Sequence, residues 1–247
     1  MRRSLLLAAG IALLVLAGAA LAPASLAGLA VDRASRGAAT LADSEGTIWR
    51  GRATLVTGGG QLPLAWSMDA WPLLRGQLRV HLEPRDGVPE SPRGTIALGH
   101  DDIELAGTRI VIPVAMLATK GRAVIRPAGE ITLTSHALAW TPPVAAGAAE
   151  IVWRNAQLVV AGGGALALGT VSATLTATGD RIAGPLANVG GDVDVGGDVS
   201  LTAPAALDVA LTVRPRAGTD SPIARTLALF ASRDDDRWRL RWHGDLR

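Results

Sequence analysis

The 247-residue chain has no cysteine and no tyrosine, one phenylalanine (Phe230), and Lys120 as its only lysine. Without thiols it can form neither disulfides nor thiolate metal sites. Apolar residues make up 49% of the chain, but they are mostly Ala, Leu and Val, with seven Trp as the main bulky aromatics. Any core is therefore thin and built from small side chains. Positive charge rests almost wholly on Arg, the formal net charge is only +2, and no basic patch with interleaved aromatics occurs. The sequence gives nucleic-acid binding no support. GxSxG, HExxH and SxxK motifs are also missing. The four His are scattered without ligand spacing. No catalytic residue, cofactor-binding residue or metal ligand is predicted, and no small-molecule ligand is expected. A carboxylate pair for glycoside hydrolysis has nothing specific in its favour.

What is present begins with Met1-Arg2-Arg3-Ser4 and an uncharged run from Leu5 to Ala22, closed by Pro23. As a helix this run would span about 27 Å, close to the roughly 30 Å of a bilayer's hydrocarbon core. Arg2 and Arg3 predict a cytoplasmic N-terminus with the remainder outside. Ala20-Leu21-Ala22 also fits a small-x-small cleavage site, but Pro23 would follow the scissile bond, and the run exceeds the usual leader core. The expectation is a retained single-pass anchor over residues 1–30. Residues 31–247 are then an exported β-rich domain, with two related halves at about 40–140 and 145–247.

Beyond residue 40 the dominant period is two. Leu207, Val209, Leu211 and Val213 alternate with polar or small residues, and Trp238, Leu240 and Trp242 alternate with Arg237, Arg239 and Arg241. Leu78, Val80 and Leu82 stand opposite Arg79 and His81. Ile103, Leu105 and Ile110 to Ile112 predict a strand pair around Gly107, and further strands are expected at 130–139, 171–177 and 193–201. Turn residues every 8–14 positions favour an antiparallel all-β body. A short helical turn is expected over Pro113–Thr119. Ser221 as N-cap, Pro222 at the first position, and Ile223, Leu227 and Phe230 on one face predict one short C-terminal helix. Thr141-Pro142-Pro143-Val144 marks either the boundary between halves or a loop inside one sheet.

Trp49–Leu64 and Trp153–Leu168 match at eight of sixteen positions without a gap. Both carry Trp-Arg, a later Val, three glycines and Leu-x-Leu, which reads as strand, glycine turn and returning strand. Neither triplet, Gly58–Gly60 or Gly162–Gly164, is followed by Lys-Ser/Thr or opens a helix, so hairpin turns with glycine at positive φ are preferred over phosphate loops. Gly190 to Asp198 resembles a calcium-binding glycine–aspartate repeat but misses its pattern, and exposed Asp alternating with buried Val is preferred. His100-Asp101-Asp102 reads as a polar turn before the strand at Ile103. Trp49, Trp66, Trp71 and Trp153 are expected to fill a core that Ala and Gly leave underpacked.

The order of these features carries a resemblance. Gly46-Thr47-Ile48-Trp49-Arg50-Gly51-Arg52-Ala53 is followed by Leu62-Pro63-Leu64-Ala65-Trp66-Ser67 and Trp71-Pro72-Leu73-Leu74-Arg75-Gly76-Gln77-Leu78. Later come Ile151-Val152-Trp153-Arg154-Asn155-Ala156, Leu211-Thr212-Val213-Arg214-Pro215-Arg216 and Trp238-Arg239-Leu240. Over nearly its whole length the chain resembles protein N of the type II secretion system, the general secretion pathway protein N family. The resemblance implies an inner-membrane accessory protein with an elongated, curved, antiparallel β-sheet domain in the periplasm. It also implies contacts with other secretion components and no catalytic residues. The alternative is a lipid-handling protein in the manner of AsmA-like or lipopolysaccharide-bridge proteins, which needs an unbroken, water-facing apolar stripe across several strands.

Overall fold

The computed structural model describes residues 18, 20–88, 90–117, 125–141, 143–160, 164–202, 206–216, 232–234 and 237–245. The run Leu5–Ala22 falls mostly outside them, and the helix expected over 221–230 wholly so. No helix among the described residues is long and apolar enough to cross a membrane.

Helix α1 (Ser25–Ala34) leads into β1 (Ala39–Gly46), β2 (Arg50–Thr57) and β3 (Gly60–Met68). A four-residue helix, α2 (Ala70–Leu73), then precedes β4 (Leu78–Leu82), β5 (Arg93–Leu98) and β6 (Ile103–Pro113). A 3₁₀ turn at Val114–Leu117 follows β6, where a helical turn was expected. Next come β7 (Ile125–Thr141), β8 (Val144–Val160), β9 (Ala165–Gly179), β10 (Arg181–Val189), β11 (Val193–Thr202), β12 (Ala206–Pro215), β13 (Ser232–Asp234) and β14 (Arg237–Asp245). These strands form one fourteen-stranded sheet in which every pairing is antiparallel. Sequence neighbours are also spatial neighbours until the end, where β14 sits between β12 and β13.

The period-two patterning explains how such a sheet forms. Directly opposed residues share a face. One such row runs Ile151, Ala173, Leu186, Gly197, Leu211 and Leu240 from β8 to β14. The row beside it on the other face is polar or small, with Ser172, Ala187, Gly196, Thr212 and Arg239. The predicted strand pair around Gly107 is instead one continuous strand, β6. Gly107 takes φ +55 at a register shift between β5 and β6, so a bulge absorbs what looked like a turn. At the β7–β8 turn Thr141 pairs directly with Val144.

Among the described residues, packing divides into three clusters. Ala24, Ala53 and Trp66 are buried where the start of α1 meets β1–β4, with Leu41, Leu64 and Val80 against them. Ala145, Ala177 and Ile182 form a second, beside Leu138, Trp140 and Leu201. The third joins Ala156, Leu166, Leu168, Val193, Val213 and Trp238. Alanine supplies two of the three buried residues in each of the first two clusters, while Leu, Val and Trp dominate the third.

Candidate interaction surface

The two repeat copies become the β2–β3 hairpin and the tip of the β8–β9 hairpin. They agree where it matters for packing, since Leu62 and its counterpart Leu166 are both buried. They differ in register by one residue. Leu55 faces Leu62 in the first copy, whereas Leu158 faces Leu166 in the second. The second copy also carries a bulge after Trp153, where Asn155 adopts φ +49 and Ala156 turns fully inward, but a second shift at Ala156–Gln157 cancels it, so Trp153–Val171 and Leu158–Leu166 keep one register. The first triplet makes the expected hairpin turn, but only Gly60 has a positive φ, at +159 and nearly extended. Neither Gly58 nor Gly59 takes a positive φ; a Cβ on Gly59 would stand 1.8 Å from the Ala115 carbonyl oxygen. That glycine lets the hairpin turn approach the 3₁₀ segment. In the second copy Gly162 and Gly163 lie outside the described residues.

The tryptophans split. Trp66 is buried and its indole N–H donates to the Ile48 carbonyl at 3.0 Å, and Trp153 packs on the largest cluster while donating to the Ala128 carbonyl at 3.0 Å. Trp49 is half-buried. Trp71 is 67% exposed with the Arg75 guanidinium 5.8 Å above its ring, so it fills no core. Val193 is fully buried between Asp192 and exposed Asp194, as strand alternation predicts. His100, Asp101 and Asp102 lie in the β5–β6 turn, closed by the Gly99 amide donating to the Asp102 carbonyl at 2.8 Å.

Two arrangements escape sequence reasoning. His81 accepts or donates on both sides, with Nε2 3.0 Å from an Asp69 carboxylate oxygen and Nδ1 2.9 Å from the Thr95 hydroxyl. Carboxylate, imidazole and hydroxyl in line are the order of a nucleophile relay. Thr95, however, sits mid-strand with partners His81 and Ala106 on either side. Its neighbouring amides run along the sheet instead of converging on an oxyanion. The group ties the β3–β4 connection to β4 and β5.

The second arrangement is a polar latch. The Asn188 side-chain amide donates to the carbonyls of Leu168, Gly190 and Val193 at 2.7, 3.1 and 2.8 Å, and its oxygen accepts from the Val195 amide at 2.7 Å. Asp192 accepts from the Ala167 amide at 2.9 Å, while its own amide donates to the Ala167 carbonyl at 2.8 Å. Gly169, at φ +76, lets the start of β9 lean over the β10–β11 turn to meet these groups. The contacts to β9 join residues 20 and 25 apart in sequence, whereas Gly190, Val193 and Val195 lie within 7 residues of Asn188.

The surface left for partners is at the ends of the strand order. β1 is one edge, bent by a bulge in which Asp43 takes φ +53. At the other end β13 covers only Arg237–Arg239 of β14. Among the described residues no strand pairs with the outer side of β14 from Leu240 to Asp245. This stretch sets Leu240 and Trp242 on the apolar face and Arg241 and His243 on the polar one, where His243 Nδ1 lies 2.6 Å from an Asp208 carboxylate oxygen.

No curated protein and no solved structure matches the chain at a significant level. The model of the family described as type II secretion system (T2SS), protein N, matches residues 38–241. That span runs from the start of β1 into β14 and takes in both repeat copies, the latch and two of the three clusters whole, with the strand residues of the cluster around Trp66. The all-antiparallel sheet and this match agree with the order of motifs along the chain, which belongs to the protein N family of the type II secretion system.

Proposed function

We propose that this chain is a non-enzymatic accessory component of the type II secretion system, held in the inner membrane by its N-terminal apolar segment. Residues 31–247 form its periplasmic domain and act through protein–protein contacts. The observation that carries this reading is the outer edge of β14, whose Leu240–Asp245 backbone has no paired strand among the described residues. An edge of this kind can accept a strand from another protein by main-chain hydrogen bonding, with alternate side chains selecting the partner. The sheet curves about its apolar face, because an open sheet of this many strands accumulates the twist between neighbours and rarely stays flat beyond about ten strands.

A second reading has one observation of its own. Leu186, Leu211 and Leu240 on the apolar face are only half-buried, which is the kind of surface that acyl chains would cover in a lipid-handling protein. The two readings part on what accompanies the full chain when it is solubilised from native membranes. Other secretion components, identified by mass spectrometry and diminished by Trp242→Lys, support the contact reading. Bound phospholipid with no secretion component contradicts it.

A further inference from the structure

Among the described residues the exposed apolar side chains are unevenly placed. One rim of the sheet contains the β1–β2 turn, the β3–β4 connection and the β5–β6 and β7–β8 turns. The other contains the β2–β3, β4–β5 and β10–β11 turns. Leu21, Trp71, Leu73, Leu74, Leu98 and Ile103 are all exposed at the first rim, with Val144 at the tip of the β7–β8 turn. The opposite rim shows Leu117, Val159 and Val189.

The chain also enters the sheet at the first rim. Pro23 bridges Thr47, the Ile48 amide donates to the Ala22 carbonyl at 2.9 Å, and the Ala24 amide donates to the Gly46 carbonyl at 3.1 Å. This pairing is antiparallel and sets Ala22 beside the β1–β2 turn, with Leu21 exposed next to it. The uncharged run Leu5–Ala22 therefore ends at the rim that carries Trp71 and Leu74. The Met68 amide donates to the Trp49 carbonyl at 2.7 Å, which sets the β3–β4 connection beside that turn.

We propose that this rim rests on the lipid bilayer, with the Trp71–Leu74 segment dipping into its interface. The inference rests on the membrane-anchored reading above and adds an orientation to it. Tryptophan favours the headgroup boundary, where one end of the ring is wet and the other apolar. Arg75, stacked over Trp71, can send its guanidinium toward the headgroups while its stem stays with the leucines. Asp69, Asp101 and Asp102 share the rim, so the contact is apolar in origin and should depend little on anionic lipid or salt.

The absence of native cysteine makes the test direct. Full-length Leu74→Cys and Val189→Cys, both at highly exposed positions (78% and 77%), would each carry an environment-sensitive fluorophore in phosphatidylcholine–phosphatidylglycerol vesicles. Lipids with a nitroxide at the headgroup should strip fluorescence from the label at 74 and leave the label at 189 unchanged. Equal, water-like emission at both positions would overturn the inference. Alkaline carbonate extraction of the same vesicles reports separately on the anchor. A chain that stays with the lipid while label 74 stays wet refutes only the resting rim, whereas a chain that washes off refutes the anchored reading.

Discussion

At the scale of single residues, the polar groups between β9, β10 and β11 do more than their surface chemistry suggests. Asn188 satisfies three carbonyls and one amide where the second repeat copy leans over the β10–β11 turn. Asn188→Ala would leave those groups without their partner, and an unpaired buried polar group costs about 1–3 kcal/mol. Urea unfolding should show a destabilisation of about 2–3 kcal/mol, with an unchanged slope if the sheet stays one cooperative unit. Acid titration adds a second residue-scale expectation. The hydrogen bond from Arg216 holds the Asp194 carboxyl below its ordinary 3.8, so its contribution is present above pH 3.8 and lost as pH falls through the lowered value. Burial and the neighbouring Glu90 carboxyl raise Glu130 above 4.5 despite Arg154. Its contribution is present below pH 4.5 and lost as pH rises through the raised value. Carboxyl-carbon NMR should find the two on opposite sides of their usual range, and Arg216→Ala should return Asp194 alone to it. Little of this was legible in the sequence, because Asn188 and Asp192 reach Leu168 and Ala167 across the bend at Gly169, and Arg216 reaches Asp194 only through the pairing of β11 with β12.

At the scale of elements, the strands were largely readable and their irregularities were not. Alternation located β4, β11, β12 and β14 because half-buried strands write their two faces into adjacent residues. It split β6 at Gly107, since a glycine in a strand reads as a turn whether the chain reverses or merely bulges. The repeat copies show the same limit. Their matching Leu positions were visible as a hairpin, while the bulge at Asn155–Ala156 and the one-residue difference in their register were not. Nor was the reason for Gly59, which depends on the carbonyl of Ala115 in a separate element. Gly59→Ala should destabilise the fold by about 1–3 kcal/mol through overpacking. Gly58→Ala, with nothing within 4 Å of the added carbon, should be nearly neutral. A thermal melt of the two variants side by side checks the distinction, and equal losses would return both glycines to a common turn role.

At the scale of the whole molecule, the order of motifs was more informative than any one of them. Short pieces such as Trp-Pro-Leu-Leu-Arg have no mechanism in isolation, yet together they placed the chain in a family whose model covers residues 38–241. What the motifs do was less visible. Trp71 was expected inside and stands outside, because a tryptophan between Ala70 and Pro72 gives no alternation from which to read its face. The stretch of β14 left without a paired strand among the described residues was equally hidden, since pairing is decided by the whole strand order and not by the strand itself. The central claim is that this sheet works by contact within the secretion machinery. A photoreactive amino acid at position 242, in the part of β14 beyond its pairing with β13, tests it most directly when compared with one at position 95 inside the sheet. In native membranes, illumination at 242 should yield an adduct with another type II secretion component, and illumination at 95 should yield none. Adducts from 242 with phospholipid alone, or the same adducts from both positions, would contradict the account.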